Sequence, residues 1–358
     1  MHVLVINAGS ATLKYKLVRV NGDALRILAE GREELDHGHG EAVTRLLGTL
    51  PARPDAVAHR WVHGGDRFGD VALVTDAVIA ELESLLPLNP LHGEGTLAGL
   101  RATRHLGVPV VAAFDTAFHR TLPPVARRYA VPAETAVHRY GFHGWSCRSV
   151  MERYVELTGR ANPSLIVLHL GNGASATAIR DGRSVDTSMG LSVLEGLVMG
   201  TRPGDIDAGV LLHLLRTGHT PETLTDLLYR RSGLQALAGE SDVRPLLARR
   251  DSDAAFALEL FCYRVRKYVG AYLAVLEGRA QALIFTGGIG EGSSLIRGRI
   301  ATPLAWAGLA YGEDHDGTRE GRISAAGSRL EAWVIPTREE ELIAREAARL
   351  LGAPGGGA

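Results

Sequence analysis

A strand-turn-strand pattern occurs twice in this chain and constrains its fold more than any other feature. The first copy is VLVINAGSATLK at residues 3–14, and the second is LIVLHLGNGAS at residues 165–175. In each copy an apolar run enters a turn of small residues, and a second strand follows at residues 13–18 or 176–179. Small residues in such turns let backbone N–H groups approach an anion. The repeat predicts two related halves with a nucleotide between them.

The composition is that of a globular protein with a small substrate. The 358 residues are 46% hydrophobic and 22% charged, enough for two domains with buried cores. Lys and Arg (39) nearly balance Asp and Glu (40), so no basic field would recruit nucleic acid. Cys147 and Cys262 are too few for a disulfide framework, and the N-terminus enters a strand instead of a signal peptide. No apolar run approaches the roughly 18 residues that span a bilayer. We therefore expect a cytoplasmic protein with neither nucleic-acid nor membrane partners.

Strand and helix patterns alternate along the chain, which predicts an α/β fold. Strands are expected at residues 56–58, 108–114, 165–169, 282–286 and 332–335, and helices at 75–86, 94–106 and 253–277. We expect an N-terminal domain of residues 1–117 and a second, nucleotide-binding domain of residues 118–337. A helix within residues 338–358 is expected to return to the first domain.

Two arginines lie in glycine-rich segments that suit a ligand better than a surface. Arg60 comes where a predicted strand gives way to a double glycine, and Arg202 lies in the segment MGTRPGDID. An arginine that contacts a phosphoryl group during its transfer increases the reaction rate by about 10³ to 10⁵-fold. The alternative for both residues is an ordinary surface ion pair.

Other polar residues follow predicted strands or flank glycines. Asp115 directly follows a strand, where an α/β enzyme keeps functional groups. His143, between glycines, suits a donor that approaches a ligand, although a core or capping histidine is the alternative. No Gly-x-x-x-x-Gly-Lys-Ser/Thr sequence is present, so the glycine turn at residues 286–292 is a candidate nucleotide cradle. One carboxylate of residues 339–341 suits magnesium held through water, unless these residues only form an acidic helix N-terminus.

These motifs together resemble the acetate and propionate kinase family, in order along nearly the whole chain. The resemblance is carried by residues 7–14, 59–65, 114–119, 139–144, 169–175, 186–190, 195–207, 286–291 and 337–340. It implies a duplicated, actin-like two-domain fold, shared with sugar kinases and Hsp70, with the active site in the interdomain cleft. It also implies a homodimer that reversibly transfers a phosphoryl group between ATP or ADP and acetate or another short-chain carboxylate, with Mg²⁺ or Mn²⁺.

The resemblance assigns roles residue by residue. Catalytic roles fall on Arg60, Asp115, His143 and Arg202, and metal binding falls on Asn7 and Glu339. The nucleotide-binding positions are Lys14, His169, Leu170, Gly171, Asn172, Gly173, Asp242, Val243, Arg244, Gly288, Ile289, Gly290, Glu291 and Gly292. Besides Arg60, the substrate-binding positions are Val62, Leu91, Phe142 and Val193.

The chain departs from the family pattern at several positions. It has Thr12 for Ser, Cys147 for His, Gly292 for Asn and Val193 for Pro, and its segment 92–95 differs from the family run. Gly292 affects the nucleotide loop and Val193 the acyl pocket, where one methylene is worth only about 1 to 3 kcal/mol. A kinase that prefers propionate or butyrate, one that uses pyrophosphate, and an impaired nucleotide-binding paralogue therefore remain alternatives.

Overall fold

The computed structural model describes residues 1–8, 12–34, 38–88, 93–314, 316–317 and 319–352. The chain divides into two compact units, which we call unit 1 and unit 2. Unit 1 comprises Met1–Phe118 and the segment that begins at Arg338, and unit 2 comprises His119–Thr337. This division places the first boundary after Phe118, whereas the sequence-based boundary lies after residue 117.

Unit 1 is built on a mixed sheet with helices packed on it. Its elements before unit 2 are β1 (His2–Ala8), β2 (Thr12–Asn21), β3 (Ala24–Glu34), α1 (His39–Thr49), β4 (Ala56–Trp61), β5 (Val71–Leu73), α2 (Asp76–Ser84), α3 (Gly93–Arg104) and β6 (Val110–Phe114). The described strands have the order β3-β2-β1-β4-β6-β5. β1 is antiparallel to β2 and parallel to β4, and β4 is parallel to β6.

Alternating side chains of these strands form the core of unit 1. Leu4 and Ile6 of β1 pack against Leu46 of α1. Farther along the sheet, Phe114 of β6 belongs to a cluster with Leu97 of α3. The two-residue spacing follows from the pleat, which points successive side chains to opposite faces.

Unit 2 contains a second mixed sheet. Its elements are α4 (Pro124–Arg127), α5 (Gly144–Thr158), β7 (Leu165–Leu170), β8 (Ala174–Arg180), β9 (Arg183–Thr187), α6 (Ala208–Arg216), α7 (Pro221–Arg230), α8 (Gly233–Ala238), α9 (Val243–Ala248), α10 (Ser252–Val275), β10 (Ala282–Thr286), α11 (Gly287–Gly292), α12 (Ser294–Ala301), β11 (Gly321–Arg322) and β12 (Glu331–Val334). The described strands have the order β11-β12-β10-β7-β8-β9.

The two sheets repeat one topology. The order β3-β2-β1-β4-β6 in unit 1 corresponds to β9-β8-β7-β10-β12 in unit 2. In both, the first strand pairs antiparallel with the second and parallel with a later one. The turn between the first two strands therefore lies at the carboxyl end of the parallel strands, where α/β proteins bind ligands. The predicted duplicated α/β fold is confirmed.

The segment after unit 2 adds α13 (Glu339–Leu350) to unit 1, where it contacts β1, β2 and β4. Ile343, Ala344 and Ala347 are buried in this contact. The predicted helix after residue 338 is confirmed. Among the helices of the described residues, none has the length and apolar character needed to cross a membrane.

One local prediction is wrong. We expected a glycine turn at residues 286–292, but Gly287–Gly292 forms the short helix α11. Glycine disfavours a helix by about 1 kcal/mol relative to alanine, so the sequence gives no helical signal here. Gly287 has φ +77°, and a Cβ atom there would lie 2.8 Å from the Leu170 carbonyl oxygen. The close approach of α11 to the end of β7 therefore requires glycine at its first position.

Candidate active site

Unit 1 brings four of the predicted site residues together, and we call them the Arg60 cluster. Asn7 lies near the end of β1, Arg60 near the end of β4, and Asp115 directly after β6. Since these strands are parallel neighbours, their carboxyl ends meet at one edge of the sheet. Glu339, the first residue of α13, completes the cluster.

The guanidinium group of Arg60 connects the cluster. Its Nε donates to Asp115 Oδ1 at 3.1 Å, its Nη2 donates to Asp115 Oδ2, and its Nη1 donates to Asn7 Oδ1 at 3.3 Å. Glu339 Oε2 lies 3.5 Å from Arg60 Nε. Burial opposes the charged form of Arg60, but the carboxylates of Asp115 and Glu339 outweigh it and raise the pKa of Arg60 above its ordinary value. Arg60 is thus a permanent cation, held in place by carboxylates.

The oxygen donors of the Arg60 cluster fit a hydrated magnesium ion. Asn7 contributes an amide oxygen and Glu339 a carboxylate, both in contact with Arg60. Mg²⁺ keeps several waters and takes one or two protein oxygens together with substrate phosphates. Across the described ranges, no group of three or more His, Cys, Asp or Glu is arranged to hold a metal ion. Asn7 and Glu339 would therefore hold Mg²⁺ mainly through water and phosphate.

Three further predicted residues belong to unit 1. Lys14 of β2 is exposed and pairs in register with Asn7, so the two side chains share a face of the sheet. Val62 is half-buried and follows β4 directly. Leu91, predicted to line the acyl pocket, lies outside the described residues.

Unit 2 contains a second group, the Arg202 cluster, formed by His143, His169, Gly173, Ser175 and Arg202. His143 and His169 stack with their ring centroids 4.1 Å apart, and His143 Nδ1 lies 2.9 Å from Ser175 Oγ. A Cβ atom at Gly173 would lie 2.5 Å from Arg202 Nη2 and 3.5 Å from His143 Nε2. Two nitrogen atoms therefore converge on the turn between β7 and β8.

His143 has an unusual backbone conformation. It precedes α5 with φ 57°, in the left-handed region, and its side chain does not cap the helix. Non-glycine residues adopt this conformation rarely and often at functional sites. Its imidazole, half-buried, points to Ser175 and His169 instead. The capping alternative for His143 is therefore wrong.

Arg202 differs from Arg60 in lacking a carboxylate. Its Nη1 donates to the Val193 carbonyl oxygen at 2.9 Å, and within the part of the chain that the structure describes no Asp or Glu forms an ion pair with it. Burial lowers the pKa of Arg202 to about 10, because the charged form loses water without gaining a counter-charge. A half-buried cation in this state favours the binding of an anion.

The segment that contains Val193 and Arg202 has no regular secondary structure, but hydrogen bonds from Arg139 hold it in place. Arg139 Nη1 donates to the carbonyl oxygens of Thr187 at 2.9 Å and Met189 at 3.0 Å, and its Nη2 donates to Glu195 Oε1 at 2.6 Å. These contacts hold the backbone on either side of Val193, whose carbonyl orients Arg202.

A cavity of about 590 Å³ lies in unit 2, and we call it the Asp242 cavity. Its volume is in the range of small-molecule and cofactor sites. Many predicted nucleotide-binding residues line it: Gly171, Asn172, Asp242, Val243, Arg244, Gly288, Ile289 and Gly292. The turn after β7 joins this cavity to the Arg202 cluster, since Gly171 and Asn172 line the cavity and Gly173 adjoins Arg202.

One edge of the cavity is formed by the start of α9. Asp242 caps this helix by accepting from the Arg244 backbone N–H at 2.9 Å. The Arg244 side chain also donates to both Asp242 oxygens, and these hydrogen bonds hold the pKa of Asp242 below its ordinary value. The pair presents a neutralised polar edge to the cavity.

Several predicted residues have other surroundings. Leu170 and Gly290 are buried, and Phe142 is buried with its carbonyl oxygen 2.9 Å from His119 Nε2. The Glu291 carboxylate bonds the backbone N–H of Gly287 at 2.8 Å. Each of these four residues therefore has a structural role in unit 2, and its role in ligand binding stays a prediction.

The departures from the family pattern also have defined places. Cys147 is buried in α5 with its Sγ 3.5 Å from Thr177 Oγ1. Gly292 faces the Asp242 cavity, and a Cβ atom there would meet nothing within 4 Å. The Thr12 side chain and residue 92 lie outside the described residues.

Sequence reasoning missed several contributors. Ser175 lies inside the second copy of the repeated motif, but nothing in the motif distinguishes it from its neighbours. Ser241, Leu247, Ser293 and Asp316 line the Asp242 cavity. Asp316 accepts a hydrogen bond from the Ser294 N–H at 2.7 Å, and no sequence pattern predicts this contact.

Comparisons with known proteins cover both units. The model of the acetokinase family matches residues 30–345. The acetate kinase of Solibacter usitatus (strain Ellin6076) is 43% identical, with 99% of each chain covered. The crystal structure of Porphyromonas gingivalis acetate kinase matches with a TM-score of 0.89 at 35% identity, over 98% of this chain and 99% of that one. A propionate kinase from Francisella tularensis matches with a TM-score of 0.87 at 33% identity, over 96% of this chain and 98% of that one.

Proposed function

Since this chain belongs to the acetokinase family, we propose that it catalyses the reversible transfer of the γ-phosphoryl group of ATP to the carboxylate of acetate. The observation that carries the proposal is Arg202, a cation without a carboxylate partner among the described residues, beside a glycine turn that also lines a nucleotide-sized cavity. Such an arrangement suits a nucleotide that binds in the cavity and extends its phosphate groups toward Arg202.

The chemistry needs charge neutralisation more than proton transfer. A short-chain acid has a pKa of about 4 to 5, so its carboxylate is already ionised at pH 7 and needs no general base. The site has to bring two anions together and stabilise charge on a loose, in-line transition state. Arginine and histidine donors serve this task better than a base does.

We assign the donors of the two clusters to one reaction. Arg202 and His143 would donate to the oxygens of the migrating phosphoryl group, and Arg60 would bind the acetate carboxylate. Asp115 would keep Arg60 oriented through its hydrogen bonds to Nε and Nη2. Asn7 and Glu339 would hold Mg²⁺, which supplies positive charge to the nucleotide phosphates when bound.

The nucleotide is assigned to unit 2. The Asp242 cavity would take adenosine, with Arg244 and Ile289 on its wall, and the turn at Gly171–Asn172 would face the phosphates. Backbone N–H groups in such a turn suit anions. Lys14 of unit 1 remains a candidate phosphate contact through its exposed ammonium group.

The acyl pocket decides between acetate and propionate. Val62 and Val193 are both half-buried. Val62 follows Arg60 by two residues, and the Val193 carbonyl oxygen accepts from Arg202. A propionate preference is the second candidate, because the family member at TM-score 0.87 is a propionate kinase. One methylene changes the preference by only about 1 to 3 kcal/mol.

We also propose a homodimer and a cytoplasmic location. Support for the dimer comes from α6, where none of the described residues 208–216 is buried although most of them are apolar. Val210, Leu212 and Leu215 are exposed there. Such a surface is typical of an interface. A second copy would cover these side chains.

The test is an acyl hydroxamate assay with purified protein, ATP and Mg²⁺. Acetate, propionate, butyrate and no acid are compared, each also without Mg²⁺ and with pyrophosphate in place of ATP. We expect acetyl phosphate to form only with ATP and Mg²⁺. Silence with every acid and both donors, from folded protein that still binds ADP, would overturn the kinase proposal in favour of a nucleotide-binding paralogue.

A further inference from the structure

The helix α11 is stable for reasons outside its own sequence. Its residues are GGIGEG, and glycine is the poorest helix former after proline. A helix this short does not persist in isolation, since nucleation is unfavourable. Contacts from other parts of unit 2 must therefore hold it.

The first turn of α11 is held by a carboxylate. Glu291 Oε1 accepts from the backbone N–H of Gly287 at 2.8 Å and from Thr286 Oγ1 at 3.2 Å. It also accepts from the Thr337 N–H at 3.2 Å. The carboxylate thus accepts from Gly287 N–H, one of the backbone donors that the first turn of a helix leaves without partners.

The other end of α11 is held by Arg297, Asp314 and Tyr311, which we call the Arg297 clamp. Arg297 Nη1 donates to the carbonyl oxygens of Gly290 at 2.8 Å and Glu291 at 2.7 Å. Its Nε and Nη2 donate to the two Asp314 oxygens at 2.7 and 2.8 Å, and the Tyr311 hydroxyl donates to Asp314.

The clamp is buried. The side chain of Arg297 is 0% exposed and that of Asp314 is 5% exposed. A buried ion pair with two-pronged geometry fixes both partners more strictly than a surface pair does, because water cannot replace either of them. The position of the last carbonyl groups of α11 therefore depends on Asp314, more than twenty residues further along the chain.

The same helix forms a wall of the Asp242 cavity. Gly288, Ile289 and Gly292 line the cavity. A Cβ atom at Gly288 or Gly292 would meet nothing within 4 Å, so these positions face open space. Side-chain packing at these two glycines does not fix the wall, so its position depends on the contacts at the two ends of α11, those of Glu291 and those of the Arg297 clamp.

We propose that the Arg297 clamp is a positioning device that sets the affinity of the Asp242 cavity for a nucleotide. Arg297, Asp314 and Tyr311 hold α11 in its binding arrangement before the ligand arrives, which reduces the ordering cost of binding. They act through α11 and do not themselves contact the ligand. The inference rests on the proposed function in taking ATP and ADP as the ligands of the cavity.

The test measures ADP binding in the presence of Mg²⁺ by calorimetry, on the full chain and without any acid, so that no turnover is needed. Asp314→Asn leaves the shape but removes the charge that orients Arg297, and we expect the Kd for ADP to rise about tenfold or more. Tyr311→Phe removes one donor, and we expect a rise of about threefold. The KM for ATP should rise in parallel, while the KM for acetate should change less than about twofold.

Glu320→Gln is the matched control. It breaks the ion pair between Glu320 and Arg153, whose side chains are 23% and 25% exposed, respectively. Arg153 belongs to α5, so this pair does not hold α11. We expect it to lower the melting temperature without changing the Kd for ADP, which separates general destabilisation from positioning.

The outcomes are distinct. A folded Asp314→Asn protein with the wild-type Kd would overturn the inference, and if that variant does not fold, a wild-type Kd in Tyr311→Phe would do so. Wild-type protein that fails to bind ADP would overturn it as well. Wild-type protein that binds ADP but forms no acyl phosphate would overturn the proposed function alone.

Discussion

Replacing Arg202 with Gln should abolish most of the turnover without weakening the fold. Burial lowers the pKa of Arg202 well below the ordinary value of an arginine, to about 10. One pKa unit corresponds to 1.36 kcal/mol, so keeping this cation in the folded protein costs on the order of 3 kcal/mol. Gln removes the charge and keeps a polar amide at this position. We expect Arg202→Gln to be as stable as the wild type or more so, while kcat falls by about 10³ or more.

Arg60→Gln is the matched comparison, since it makes the same change at an arginine that is paired with carboxylates. Asp115 and Glu339 would then lose their ion pairs with Arg60. Breaking a buried pair costs about 3 to 5 kcal/mol. Both variants should lose turnover, but only Arg60→Gln should have a lower melting temperature than the wild type.

Thermal melts at pH 7 and the hydroxamate assay provide the measurements. Sulfate should raise the melting temperature of the wild type more than that of Arg202→Gln, because an anion that binds only the folded state stabilises it. A loss of more than about 1 kcal/mol in the unfolding free energy of Arg202→Gln would refute the account of an uncompensated cation. A loss in kcat below about tenfold would remove Arg202 from the transition state.

Three further substitutions test the surroundings of the site. Glu195→Gln removes one hydrogen-bond partner of Arg139 and should lower kcat about tenfold. The same substitution should have little effect on kcat in the Arg202→Gln background. Additive losses of kcat in this double-mutant cycle would contradict a role of Glu195 through Arg202. Gly292→Asn should fold normally, since its Cβ meets nothing within 4 Å, and should lower the Kd for ADP; an unchanged Kd in calorimetry would show that the departure is neutral. Val193→Pro should shift the acetate-to-propionate ratio of kcat/KM by about threefold or more, and a constant ratio would remove this residue from the acyl pocket.

Part of the Arg60 cluster could be anticipated from the sequence for a geometric reason. Apolar runs that end in Arg60 and Asp115 indicate parallel strands, and the ends of parallel strands share an edge. Glu339 could not be placed in this way, because the predicted return of its helix to the first domain does not say which strand ends the helix meets. Only the family resemblance connected Glu339, and likewise Asn7, to Arg60 and Asp115.

Unit 2 was harder to predict. The missing counter-charge of Arg202 depends on which carboxylates approach in space, and its segment has no helical or strand periodicity. The helix α11 could not be predicted, since its own residues oppose helix formation and the residues that hold it, Arg297 and Asp314, lie beyond it in sequence. Long-range polar contacts of this kind leave no trace in hydrophobic patterns.

The position of α13 has a consequence for biosynthesis. The sheet of unit 1 is made first, but the helix that contacts β1, β2 and β4 is synthesised only after all of unit 2. Unit 2 is continuous in sequence and can fold while translation proceeds. Unit 1 has to wait with an apolar sheet face uncovered, which makes it the part of the nascent chain with the greater need for a chaperone. Because Glu339 arrives with that helix, the Arg60 cluster is completed only at this last step, and no translation intermediate can have the whole cluster.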